Sequence, residues 1–251
     1  MTDAAVAYNT RQAGVLWTLA DLPLPLSNLD PKGFAFAGAV GVLQEQHGLK
    51  ADGMLGPTTL AAICPPKVTS ITEGALALIA TATAEANKGV REVGKNAGPD
   101  VEKYLHCLGM SKGSPWCAAF VSWCIMTSRG LSKPPKWCSG SAVSLYQVAL
   151  NYKGCVYVVP TQPDYQTKVK PGYIWSRAQD ATDAAAARKM KWCQGHTGIV
   201  VAVDNIGFHT IEGNTNAAGS REGDGVYRKL HKWTDAELIG KTVGWFDPQS
   251  I

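Results

Sequence analysis

The chain has 251 residues, 45% hydrophobic and 18% charged, with 8 Trp, 8 Tyr and 5 Phe. That aromatic and aliphatic content excludes a disordered or collagen-like chain, and the length suits one large or two modest domains. A net charge of +4 and a pI near 8.6 come without any Lys/Arg run, so no nucleic-acid footprint is expected.

The longest uncharged stretches, Gly113–Ser128 and Trp137–Tyr152, are sixteen residues each and interrupted by Ser, Gly or Pro. A spanning helix needs about 20 predominantly apolar residues, so no membrane insertion is expected. Met1-Thr2-Asp3-Ala4 has an acid where a secretion signal wants a base, and the apolar run Ala13–Ala20 is followed by Asp21. A cleaved signal is therefore not expected.

Residues 1–63 read as short helices with an interruption at Leu22-Pro23-Leu24-Pro25. Phe36, Val40, Leu43, Gln44 and His47 mark one helix face that runs to Gly48, a C-cap candidate. Asp52-Gly53 then makes a turn, and Gly56-Pro57 opens a further short helix. Two prolines at 65 and 66 end this region, giving domains at 1–66 and 67–251. Beyond them Ser70-Ile71-Thr72-Glu73 has the form of a capping box, followed by a helical pattern through Leu76, Ile79, Thr83, Ala86 and Val90.

The stretch Val42-Leu43-Gln44 with Gly48-Leu49-Lys50-Ala51-Asp52-Gly53-Met54-Leu55-Gly56-Pro57-Thr58-Thr59 resembles the small helical peptidoglycan-binding domain of cell-wall hydrolases. The resemblance implies wall binding by domain 1–66, with Asp52 and Gly53 as substrate-binding candidates. On the residues alone, a helix–turn–helix packing unit without a ligand fits equally.

Seven cysteines, with no C-x-x-C, fit reduced thiols better than a zinc ribbon or a disulfide scaffold. Cys117 follows Ser114-Pro115-Trp116 and falls in the first turn of the apolar helix Ala118–Thr127. At such a position unpaired backbone N–H groups and the helix dipole favour a thiolate. Cys124, two turns deeper, reads as a core thiol. Strand candidates are Val156–Val159, Ile199–Asp204, Phe208–Glu212 and Gly225–Leu230, with a hairpin turn at Asn205-Ile206-Gly207. Helices first and an antiparallel sheet after make an α+β fold.

His196 opens a strand, between glycines that would let a substrate approach. Folding the hairpin about Asn205-Ile206 sets 196 opposite roughly 215, near Glu212 and Asn214, while His209 points to the other face. A histidine held by a carboxylate or amide is what a Cys–His pair requires.

Pro115-Trp116-Cys117-Ala118-Ala119-Phe120-Val121-Ser122-Trp123-Cys124, Pro171-Gly172-Tyr173-Ile174-Trp175, Gly195-His196-Thr197-Gly198-Ile199-Val200 and Ile211-Glu212-Gly213-Asn214-Thr215-Asn216 resemble the CHAP family. These are cysteine, histidine-dependent amidohydrolases and peptidases of papain-like fold. The resemblance implies catalytic roles for Cys117 and His196, with Glu212 as the orienting residue and Asn214 as a further polar group. Trp116 and Trp175 are candidates either for groove walls or for core. Residues 176–194 form a longer link than the family's, with a helix around Ala184–Ala187. Gly94–Asp100 carries one acid, so neither a metal site nor any other cofactor is expected.

A wall-binding module joined to a wall-cleaving one is similar to bacteriophage endolysins. That implies a monomer made in the host cytoplasm and acting on peptidoglycan after release, as muramoyl-alanine amidase or endopeptidase. The rivals are a tail-associated lysin, a secreted antibacterial toxin and a non-catalytic wall-binding or structural protein. The tail Trp233–Ile251 has no functional reading.

Overall fold

The structure, a computed structural model, describes residues 2–12, 22, 26–63, 71–216 and 223–251. The chain divides into two compact units, Met1–Thr69 with Asp204–Ile206, and Ser70–Val203 with Gly207–Ile251. The expected prolines at 23, 25, 65 and 66, the apolar run after residue 12, Cys64 and Ser70 lie outside the described residues.

The first unit contains helices α1 (Asp3–Gln12), α2 (Phe34–Gln46) and α3 (Pro57–Ile63), with a 3₁₀ turn at Leu26–Asn28. Its core is Leu22, Leu26, Phe36, Val40, Leu55, Leu60 and Ile63. α2 ends at Gln46, and Gly48 takes the left-handed conformation (φ 67°) that terminates it. The Asp52-Gly53 turn is built around buried Gln44. The Gln44 amide Nε2 donates to Asp52 Oδ1 and Thr59 Oγ1, both at 2.9 Å, and Gln44 Oε1 accepts from Gly53 N–H at 2.9 Å. Asp52 Oδ1 also accepts from Met54 N–H, an Asx turn, and Asn9 clamps the far side by bonding Gly53 O and Leu55 N–H. Gly53 has φ 73°, which only glycine adopts cheaply.

The second unit begins with helix α4 (Glu73–Lys88), followed by α5 (Pro99–Cys107), α6 (Cys117–Ser128) and α7 (Ala142–Leu150). The cap of α4 is Thr72, whose hydroxyl accepts from Ala75 N–H, in place of the expected Ser70. Then come β1 (Tyr157–Val158), α8 (Tyr165–Lys168), β2 (Ile174–Ala178), α9 (Ala181–Ala187), β3 (Gly195–Val203), β4 (Gly207–Thr215), β5 (Gly225–Lys232), α10 (Ala236–Lys241) and β6 (Thr242–Phe246). The strands form one antiparallel sheet in the order β1-β6-β2-β3-β4-β5, so the fold is α+β.

α6 is buried on nearly every side, from Cys117 to Ile125. A helix that is apolar all round belongs at the centre of a domain, and here it packs on β3 and β4. Ile174, Ile199 and Ile211 lie with it in the main core. The alternate residues Trp175, Val200 and Phe208 face the other way, into a second cluster with Trp245 and Tyr173. The period-two alternation of strands thus gives each face its own core.

The helix expected within 176–194 is α9, capped by Asp180 and tied down by Gln147, whose amide donates to Ala187 O and Lys191 O. The tail, left without a reading, supplies β6. It lies between β1 and β2 with all five residues buried.

Candidate active site

Cys117 is the first residue of α6, one past Pro115-Trp116, as its sequence context predicts. Two contacts fix this helix start. Glu92 accepts from the Trp116 indole N–H at 2.7 Å and from Asn96 N–H at 2.8 Å. A Cβ on Gly213 would lie 2.6 Å from the Trp116 ring and 2.8 Å from Phe120 Cβ, so α6 rests on bare β4 backbone. Sequence reasoning missed Glu92, because its partner is 24 residues away.

The hairpin register differs from the expectation by one residue near the site. At the turn Val203 pairs with Phe208 and Ala202 with His209, but an irregularity between Val200 and Ala202 shifts Val200 onto Thr210 and Ile199 onto Ile211. Continued along β3, this levels His196 with 214 and Gly198 with Glu212. The imidazole then reaches Glu212 diagonally, and Nε2 donates to Oε2 at 2.9 Å. Gly198 makes that possible: a Cβ there would sit 2.5 Å from Glu212 Cγ. Gly195 is equally tight, against the Arg177 carbonyl and Val143. These glycines serve close packing, and the expected substrate approach through them is not how they are used.

His196 and Glu212 are each 2% exposed, and Glu212 carries a further pair of donors. His231 Nε2 on β5 lies 2.6 Å from Oε1, and the Thr210 hydroxyl also donates to Oε1. Burial alone would raise the Glu212 carboxyl. Hydrogen bonds from His196 and His231, and their charge, outweigh it and hold the group well below the usual carboxylate range. Burial would likewise lower His196. Interaction with Cys117 and with Glu212 wins and pushes the imidazole up to about 9. The second ring nitrogen, Nδ1, has no hydrogen-bond partner of ordinary length, and Cys117 stands beside the ring, close enough to act on its protonation.

Asn214 breaks the alternation expected of it. It has φ 56°, in an irregular stretch of the β4–β5 ladder between Glu212 and Thr215. It bonds neither His196 nor Glu212: both polar atoms of its amide are buried without a partner. His209 is on the opposite face of β4 from this network, as expected from alternation.

Two other assignments need correction. Trp116 and Trp175 are 0% exposed and cannot wall a groove. Trp116 stacks on Tyr104 with centroids 5.6 Å apart, and Trp175 lies against His231 and donates its indole N–H to Thr242 Oγ1. Gly53 is buried with both backbone groups bonded and offers nothing to a ligand, whereas Asp52 is half-buried and its Oδ1 accepts twice within the turn. Cys124 is fully buried, and burial raises its thiol well above the ordinary value. The described cysteines are all free thiols.

Among the described residues no group of three or more His, Cys, Asp or Glu side chains is placed to hold a metal, and no helix is long and apolar enough to cross a membrane. No curated protein and no solved structure matches the chain. Residues 109–214, which run from the loop before α6 to near the end of β4 and contain Cys117, His196, Glu212 and Asn214, match the family model of the CHAP domain. Through that match the stretch is similar to cysteine- and histidine-dependent amidohydrolases and peptidases, which supports a hydrolase domain of the peptidoglycan-cleaving type.

Proposed function

We propose that the second unit hydrolyses an amide bond of the peptidoglycan stem peptide, with Cys117 as nucleophile and His196 as its acid and base. The observation that carries this reading is His196, buried, held by Glu212 through Nε2, with Nδ1 left without a hydrogen-bond partner and Cys117 beside the ring. Cys117 sulfur, as thiolate, adds to the amide carbonyl. The C–N bond then breaks as protonated His196 gives its proton to the leaving amine. His196 next takes a proton from water, which attacks the thioester. The carboxylic acid departs and the thiolate returns.

The oxyanion at the carbonyl would sit against the Cys117 N–H, one of the unpaired donors at the start of α6. The unpartnered Asn214 amide is the second candidate donor. The first unit would hold the wall, with the half-buried Asp52 beside the Gly53 turn as its candidate contact. Together these features fit an endolysin, made in a host cytoplasm and acting on the wall once released.

Mass spectrometry of peptidoglycan digested by the wild type and by Cys117→Ala tests the reading. Wild type alone should release soluble products, with loss of turnover in the variant. Lactyl-ended glycans with intact stems identify an amidase, and cuts within the stem or cross-link an endopeptidase. Equal release by both proteins, or by neither, sinks the assignment.

A further inference from the structure

The carboxylate that holds His196 is itself held from the opposite side by a residue outside the matched stretch. His231 sits on β5 opposite Phe208, and its ring packs against both Trp175 and Phe208, with centroids 4.4 and 4.9 Å away. From there Nε2 lies 2.6 Å from Glu212 Oε1, while His196 Nε2 uses Oε2.

The terminal torsion of a glutamate is broad and two-fold, so a carboxylate bonded through one oxygen can swing. A swinging Glu212 would let the His196 ring turn away from Cys117. Thr210 also donates to Oε1, but a hydroxyl rotates and fixes no direction. The His231 ring is larger and takes its direction from its packing on Trp175 and Phe208. Beside it lies a cleft of about 490 Å³ lined by Arg177, Lys229, Asp235 and Leu238 together with Glu212 and His231. Without the imidazole, water from this cleft would reach the carboxylate. The charged and titratable groups around Glu212 and its histidines are therefore His196 from β3, His231, Lys229 and Lys232 from β5, Arg177 from β2, Asp235 before α10 and Cys117 from α6.

We infer that His231 is a positioning residue, which pins Oε1 of Glu212 so that Oε2 stays on His196 and the imidazole stays aimed at Cys117. The inference rests on the amide-cleavage reading above.

The test is the steady-state kinetics and pH–rate profile of full-length His231→Phe and His231→Gln on peptidoglycan fragments made soluble by a glycosidase, with Cys117→Ala alongside. Phe keeps the ring stack and removes the donor; Gln keeps a donor. Losing a hydrogen bond to a buried charge should lower kcat about tenfold or more in His231→Phe at unchanged KM. The acid limb should move to higher pH, because the carboxylate loses one of the bonds that favour its ionised form. His231→Gln should regain most of kcat. Wild-type kcat and an unmoved acid limb in His231→Phe overturn the inference, as do equal losses in both variants that follow a fall in melting temperature. If His231→Phe does not fold, His231→Asn, whose amide is too short to reach Glu212, takes its place with the same two readings. Activity surviving in Cys117→Ala overturns the amide-cleavage reading itself, and an inert Cys117→Ala with an unaffected His231→Phe overturns only the role of His231.

Discussion

Each unit is organised around one buried polar side chain, Gln44 in the first and Glu212 in the second, and the two are finished differently. Gln44 is neutral, and its amide donates and accepts entirely among Asp52, Gly53, Met54 and Thr59. Nothing of the Gln44 side chain is left over for a ligand. Glu212 is ionised and holds two histidines, and the groups beside it are left incomplete: His196 Nδ1 and the whole Asn214 amide have no partner. Buried polar atoms are ordinarily paired, since each unpaired one costs about 1–3 kcal/mol. A network closed on itself builds shape, whereas one with buried loose ends carries a cost that a bound substrate can relieve.

The largest break in this comparison should come from Glu212→Gln. The amide has the same shape but removes the charge that raises His196 and can present a donor to the ring. A fall in kcat of about a hundredfold or more is expected on soluble fragments. The basic limb of the pH–rate profile should also move down from about 9, because one of the interactions lifting the imidazole is gone. A basic limb that stays in place would show that Glu212 does not set the state of His196.

The matching change in the first unit, Gln44→Leu, should behave oppositely. It leaves several turn groups unpaired in a buried site, for a loss of about 2–4 kcal/mol in the first unit's stability. Hydrolysis of soluble fragments should not change. Calorimetry with a parallel activity assay reads both, and a drop in kcat would mean the two networks are not independent.

The smallest effect per pH unit should be seen in stability. His196 is raised from 6.5 to about 9, so its contribution is fully present below pH 6.5 and disappears as pH rises through 9. Glu212 is depressed below 4.5, so its contribution is present above that value and disappears as pH falls. Urea midpoints of the second unit should therefore be highest between about pH 4.5 and 6.5 and decline on both sides. Glu212→Gln should flatten the alkaline decline.

Much of the site was legible because its signals are local. Pro115-Trp116-Cys117 marks a helix start within three residues, and Glu212 lies one hairpin away from His196. The partners that complete the site are set by pairing between strands, which no window of sequence contains. His231 reaches Glu212 only because β5 pairs with β4 in one particular register. The one-residue shift at Val200–Ala202 is equally invisible from either strand alone. Trp116 and Trp175 were ambiguous for a different reason: an aromatic ring next to a reactive residue can touch substrate or hold the reactive residue in place, and only burial decides. The tail was unreadable because Thr242–Phe246 is short and its place between β1 and β2 depends on strands far earlier in the chain.

That strand has a consequence for how the protein is made. Synthesis proceeds at about 5–20 residues per second, and segments that emerge first begin to fold first. Cys117, His196 and Glu212 are all synthesised before β6, yet β1 and β2 both wait for it as a neighbour. Trp175, which braces His231, waits for Thr242 to accept its indole N–H. A growing chain thus holds every reactive group of the centre, on α6 and on strands β2 to β5 that pair with one another, before the strand that joins β1 to them and supports Trp175. Hydrolytic competence should arrive in a single late step, when Thr242–Phe246 slots into the gap, and a chain stalled short of that strand should be inert.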